Sequence, residues 1–395
     1  MSIPNNYLTE AQELLEYTRS FRRDFHKHPE LGFQEIRTAG IVANELRNLG
    51  LEVSTGVGKT GVVALLESER PGSTILLRFD MDALPIQEET GVDYASETPG
   101  VMHACGHDGH TAIGLTVAKI LQRHRADLIG TVKFIFQPAE EGAGGAESMI
   151  SAGILQNPKP DLALALHLWN EKPVGWIGTS PGPMLAAIDI FKVHIKGRGG
   201  HGAMPNLALD PVAAAAQIVT ALQTIVSRNV SPLQTAVVSV TTIHGGDAFN
   251  VIPSTVDLQG TIRTFNSEVR NRVFDRFQQI TTGVAEAMGC RSEVELKSLA
   301  PATVNDPEAA KVVTRVAKSL FPEAEVEKAY MAMVSEDMAF VLERVPGCYF
   351  FVGSANPEKG LIATHHHPRF NFDEDAMPRA VSLMVATAVE LMRGA

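Results

Sequence analysis

The chain has 395 residues, 45% of them hydrophobic, enough to bury a substantial core and to expect more than one domain. Its formal net charge of −11 repels nucleic acid and anionic lipid, so neither is expected as a partner. Cys105, Cys290 and Cys348 are the only cysteines, too few and too scattered for a disulfide framework and suited to a reducing compartment.

The opening stretch MSIPNNYLTEAQELLEYTRSFRR lacks the apolar core of a secretory signal, and no segment is long and apolar enough to span a membrane. A cytoplasmic location is therefore expected. Residues 8–28 read as a helix. Residues 73–79 (STILLRF) form a short apolar run that ends at Asp80 and Asp82. Residues 108–125 read as a helix with Ile113, Val117, Ile120 and Leu121 on one face, and 130–137 and 161–168 read as buried strands. Strands alternating with helices predict an α/β fold, with a mixed, mostly parallel sheet flanked by helices. Asp80, Asp82, Glu140, Glu141 and His167 each fall at or just after the carboxyl end of a strand, the edge where such sheets bind ligands.

The middle third differs. Phe191, Val193 and Ile195 alternate with Lys192, His194 and Lys196, the period of a half-exposed strand. Asp210-Pro211 opens a helix, with Asp as N-cap and Pro in the first position. Residues 235–243 and 255–264 are strand-like, Ser267 starts a second helix that Gly289 stops, and 293–297 is a last strand. The order β-α-β-β-α-β is the ferredoxin-like split motif. The expected domains are thus a catalytic domain over 1–185 and 300–395, with an inserted ferredoxin-like α+β domain over 186–299.

Four clusters carry chemistry. In residues 102–110 (MHACGHDGH), an extended loop would project Cys105 and His107 to the same side. Thiolate and imidazole together suit zinc and similar divalent metals. A polar loop capped by Asp108 is the plain alternative, but it needs far fewer histidines. In residues 136–142 (FQPAEEG), Glu140 and Glu141 would repel each other if buried and unpaired. A metal would resolve this by binding one carboxylate and leaving the other as a base; a solvated acidic turn is the alternative. His167 and the run His365-His366-His367 bring the total above what one metal needs.

Taken with these clusters, RRDFHKHPELGFQE (22–35), LLRFDMDALPIQEE (76–89), ALHLWN, GRGGHGAMP, FNVIP and HHHPRFNFDED resemble the amidohydrolase branch of the M20 metallopeptidases. That branch includes hippurate hydrolases, N-acyl-amino-acid amidohydrolases and auxin-conjugate hydrolases. The resemblance runs over residues 22–375. It implies metal-dependent hydrolysis of the amide bond of N-acyl amino acids, giving a carboxylic acid and a free amino acid. It implies two divalent ions per subunit, Zn2+ or Mn2+, with Co2+ or Ni2+ as substitutes. Cys105, His107, Glu141, His167 and His366 become ligands, with Cys105 bridging and His367 the alternative to His366. Glu140 becomes the general base and Asp82 a supporting acid. His201, Asn250 and Arg263 of the inserted domain become substrate contacts, the Arg263 fork matching a carboxylate. The resemblance also implies a homodimer, or a higher oligomer, joined through the inserted domain. That domain would close as a lid about hinges near 186 and 299. The alternatives are an acetyl-diaminopimelate-type deacetylase, a small-peptide carboxypeptidase, a non-catalytic metal-binding homologue, and a thiol hydrolase using Cys105 and His107.

Overall fold

The computed structural model describes residues 6–394. It divides into two compact units, one of residues up to 184 with 304–331 and 337 onward, the other of 185–303 with 332–336.

The first unit opens with α1 (Asn6–Glu13) and α2 (Leu15–Lys27). The single helix predicted over 8–28 is divided at Leu14, though Leu14 N bonds to Glu10 O and Thr18 N to Leu14 O, so the ladder runs on. Next come α3 (Ile36–Asn48), β1 (Glu52–Val57), β2 (Gly61–Glu67), β3 (Thr74–Asp80), α4 (His107–Arg123), β4 (Thr131–Gln137), α5 (Gly145–Ser151), β5 (Leu162–Pro173), β6 (Trp176–Gly178) and β7 (Gly182–Leu185). The second unit supplies β8 (Ala187–Lys196), β9 (Gly200–His201), α6 (Pro211–Thr224), β10 (Ala236–His244), β11 (Val251–Ile252), β12 (Thr255–Thr264), α7 (Ser267–Ala287) and β13 (Arg291–Ala300). The remainder is β14 (Thr303–Asn305), α8 (Pro307–Leu320), β15 (Glu325–Glu327), α9 (Ala339–Leu342), β16 (Gly347–Ala355) and α10 (Ala376–Gly394).

The main sheet of the first unit has the order β1-β2-β4-β3-β5-β16-β6-β15. Its centre is parallel: β3 pairs with β4 and β5, and β5 with β16. The β1-β2, β2-β4 and β16-β6 pairs are antiparallel. Every residue of β3 and β16 is buried, which is why these strands read as unbroken apolar runs. Helices α4 and α10 pack on the central strands. Gly114 lets α4 come close, since a Cβ there would stand 2.7 Å from the Phe79 ring. Among the described residues, no helix is long and apolar enough to cross a membrane.

The second unit has an antiparallel sheet in the order β10-β12-β8-β13. Phe191, Val193 and Ile195 of β8 are buried with Ile218 and Leu222 of α6 and Val273 and Phe277 of α7. Asp210 caps α6 by accepting from Val212 N and Ala213 N. The cap of α7 is Asn266, one residue before the predicted start. The segment 332–336 had no signal in the sequence. Its Ala332 bridges Leu185, and Val334 O accepts Ala186 N.

Candidate metal centre

The site residues of the first unit arrive from the ends of two strands, the middle of a third, the start of a helix and two loops. Strand β3 ends at Asp80 and the chain runs on to Asp82; β4 ends at Gln137, just before Glu140 and Glu141. His167 lies inside β5, which continues to Pro173 instead of ending at the histidine. Cys105 and His107 are not set by the alternation of an extended loop. Gly106 between them takes φ +88 as the N-cap of α4, so His107 is the first residue of that helix. This left-handed turn is cheap only for glycine.

These groups converge. The ligand atoms of Cys105, His107 and His167 lie within 4.8 Å of one another, and so do those of Cys105, Glu141 and His366. Cys105 Sγ is 3.4 Å from His167 Nε2, and His366 Nε2 is 3.2 Å from Glu141 Oε1. His107 and the two carboxylates Glu140 and Glu141 form a third such group. His366 takes φ +64, a conformation that costs a non-glycine residue about 1–3 kcal/mol. Its amide is tied to Ala104 O at 2.8 Å. His367 Nδ1 instead accepts Arg369 N within its own loop.

Backbone carbonyls decide which ring nitrogen is left for a ligand. His107 Nδ1 donates to Asp82 O at 2.9 Å, and His167 Nδ1 donates to Leu168 O at 2.7 Å. Each ring therefore presents its Nε2 lone pair to the cluster. His107 Nε2 is buried with no hydrogen-bond partner in the protein. Such an orphan is costly unless something else binds it.

The local charge points the same way. Burial works to lower the His107 imidazole, yet Asp80, Asp82 and Glu141 push it up to about 10. A pocket that drives a buried imidazole to hold a proton has an excess of negative charge, which suits a dication. Burial, His110 and His365 hold His167 well below the usual histidine range, so it stays a neutral ligand. Burial, with Glu141 and Glu140, pushes the Cys105 thiol well above its usual range. Without a cation, Cys105 is thus a poor nucleophile.

A second layer orients these groups. Asp82 Oδ2 accepts Glu141 N at 3.0 Å, and its Oδ1 is 3.3 Å from His107 Nδ1. Asp108 does not cap α4; it is buried and accepts from Arg22 Nε and His26 Nδ1, both at 2.8 Å. Sequence reasoning placed Asp80 at a ligand-binding strand end and His365 in a histidine run without giving either a role, and it assigned none to His110. Asp80 accepts from Arg78 Nη1 and His110 Nδ1, both at 2.6 Å. His365 donates from Nε2 to Leu168 O at 3.0 Å and stacks on Trp169. The spacing of His107 and His110, one helical turn apart, was the available signal for His110.

The residues expected to contact substrate belong to the second unit. His201 and Asn250 are exposed neighbours: His201 pairs with Val251, and Gly202 N bonds to Asn250 O. Arg263 is half-buried on β12, and its Nη1 is buried without a hydrogen-bond partner in the protein.

Residues 76–390 match peptidase family M20/M25/M40. The chain belongs to peptidase family M20. This M20 chain is 40% identical to N-acetylcysteine deacetylase of Bacillus subtilis (strain 168), over 94% of its length and 95% of the relative's. It is 37% identical to IAA-amino acid hydrolase ILR1-like 4 of Arabidopsis thaliana, over 99% of its length and 89% of the relative's. Among solved structures it is similar to the Bacillus subtilis YXEP protein, a dinuclear metal binding peptidase of the M20 family. That likeness has a TM-score of 0.86 at 35% identity, covering 97% of this chain and 99% of the other. This M20 protein is accordingly a hydrolase of amide C–N bonds that uses divalent metal.

Proposed function

We propose that this enzyme releases free amino acids from N-acyl amino acids, hippurate-like or N-acetylated, with two divalent ions held by Cys105, His107, Glu141, His167 and His366. The observation that carries this reading is the pair of ligand groups, Cys105–His107–His167 and Cys105–Glu141–His366, which share one sulfur. Cys105 would thus contribute to both sets of ligands. When bound, such ions lower the pKa of a ligated water and polarise the scissile carbonyl.

The chain's own residues then have separate tasks. Asp82 and the Leu168 carbonyl hold the ligand histidines in one tautomer. Glu140 takes a proton from the attacking water and gives it to the departing nitrogen. Water oxygen thereby joins the acyl carbon, the C–N bond breaks, and the amine leaves with the proton. His201 stabilises the oxyanion, and Arg263 with Asn250 grips the substrate carboxylate. The unpartnered Arg263 Nη1 supports that role. A mixed thiolate, imidazole and carboxylate set accepts Zn2+ or Mn2+, with Co2+ or Ni2+ as substitutes. The second unit serves as the contact of a cytoplasmic homodimer.

Purified protein assayed against N-acetyl and N-benzoyl amino acids, beside elemental analysis and sedimentation, tests this reading. Expected are release of free amino acid, about two metals per chain and a dimer. A metal-free protein with full activity overturns the reading.

A further inference from the structure

The motif over residues 22–35 enters none of the steps above, yet its last carboxylate is fully buried. Glu35 is 0% exposed and occupies the N-cap position of α3, but its side chain caps nothing there. The capping task has passed to Glu30, whose carboxylate accepts Arg37 N at 2.9 Å and Thr38 N at 2.8 Å. Glu35 reaches away from the helix. Its Oε1 accepts the Ala139 amide at 2.9 Å, across 104 positions of sequence, and its Oε2 accepts Thr60 Oγ1 at 2.5 Å.

Ala139 is the residue before Glu140 and Glu141, and it needs fixing. It takes φ +53, a left-handed conformation unfavourable for alanine. Gly32 closes over it: a Cβ on Gly32 would stand 3.1 Å from both Ala139 Cα and Cβ. On its far side, Ala139 O accepts Gly145 N at 3.1 Å. Backbone direction at Ala139 sets where the next two carboxylates leave β4, so whatever holds this amide also sets the base and a ligand.

We propose that Glu35 is a positioning residue for the amide hydrolysis, acting as the acceptor that locks the Ala139 turn and thereby aims Glu140 and Glu141. The inference rests on the metal-centre reading above. The requirement is for an acceptor at that reach, not for charge, since the Ala139 amide is neutral.

Three substitutions separate reach from charge. Glu35→Gln keeps an acceptor for Ala139 N, and its amide can donate to Thr60 Oγ1. Glu35→Asp keeps the charge but is one methylene short, and Glu35→Ala removes both. The readouts are the visible absorption and affinity of bound Co2+, kcat and KM on an N-acetyl amino acid, and hydrogen exchange of the Ala139 amide in metal-free protein. Expected for Asp and Ala are faster Ala139 exchange, Co2+ binding weakened about 10- to 100-fold and kcat lowered in like measure. KM should stay within about twofold, because substrate contacts are elsewhere. Glu35→Gln should retain the wild-type spectrum and most of kcat. If Glu35→Ala does not fold, the ranking of Gln over Asp still decides. Wild-type protein that takes up no Co2+ overturns the metal-centre reading and this one with it. Wild-type uptake with Asp equal to or better than Gln, or with all three variants unchanged, overturns the Glu35 role alone.

Discussion

His110 Nε2 accepts the backbone amide of Leu168 at 2.9 Å. The carbonyl of the same residue receives both His167 Nδ1–H and His365 Nε2–H. The backbone of one residue, anchored at its amide by one ring, thus aligns two other imidazoles through its carbonyl. Asp80 fixes that ring through Nδ1, and Arg78 fixes Asp80. His110→Ala should leave the Leu168 amide buried and unpaired, costing about 1–3 kcal/mol. Metal affinity should also fall about 10- to 100-fold. Urea denaturation and a metal titration measure the two effects. An unchanged affinity would show that the Leu168 peptide holds its place without His110.

Glu140 is assigned the proton, and Glu141 a metal. Glu140→Gln should lower kcat about 100- to 10,000-fold while metal content and melting temperature hold. Glu141→Gln should instead lose metal. Steady-state kinetics beside elemental analysis separates the two neighbours, and equal metal loss in both would merge their roles.

Chelation distinguishes a metal centre from a thiol enzyme. Dialysis against a chelator should abolish hydrolysis, and Zn2+, Mn2+ or Co2+ should restore it. A thiol hydrolase would keep its activity through the same treatment. The raised Cys105 thiol argues for the first outcome. Cys105→Ser should lower metal content together with turnover.

The start of α4, where His107 follows Cys105, is tied to the N-terminal helices by the buried charge of Asp108, which makes its hold depend on pH. Burial alone would raise the Asp108 carboxyl, but Arg22 and His26 outweigh it and hold Asp108 well below the usual range. Its stabilisation is therefore present above its unfolded pKa of about 3.9 and is lost as pH falls through the lower folded value. His26 is the opposite case. Burial opposes its charge, Asp108 and Glu88 favour it, and its pKa is raised. Its share is complete below about 6.5 and fades as pH rises through the folded value. Arg22→Leu leaves Asp108 without its guanidinium and should cost about 3–5 kcal/mol at neutral pH. Denaturation midpoints from pH 7 to pH 2 should show the gap from wild type narrowing only at the acid end. A gap independent of pH would make the loss one of packing alone.

Much of the architecture could be read along the chain, and the reasons are local. The alternation in β8 was visible because one face of that strand is buried, and Asp210-Pro211 marked α6 because caps act within a few residues. The Cys105–His107 pair was legible as ligand chemistry, but its geometry was not: Gly106 turns left-handed where an extended loop was expected. The choice between His366 and His367 was open in sequence. In the folded chain His366 stands beside Glu141, and His367 bonds within its own loop.

What the sequence by itself determined was a set of donors with the right chemistry, a sheet of buried parallel strands and an appended split motif. Periodicity, capping and residue type are properties of neighbours, and they survive in one dimension. Only the tertiary structure decided that Glu35 meets Ala139, that Arg22 meets Asp108 and that Leu168 binds His110. These bonds join residues dozens of positions apart, and nothing in local spacing encodes them. They form because a polar group shut away from water must find a partner wherever the packed sheet happens to bring one.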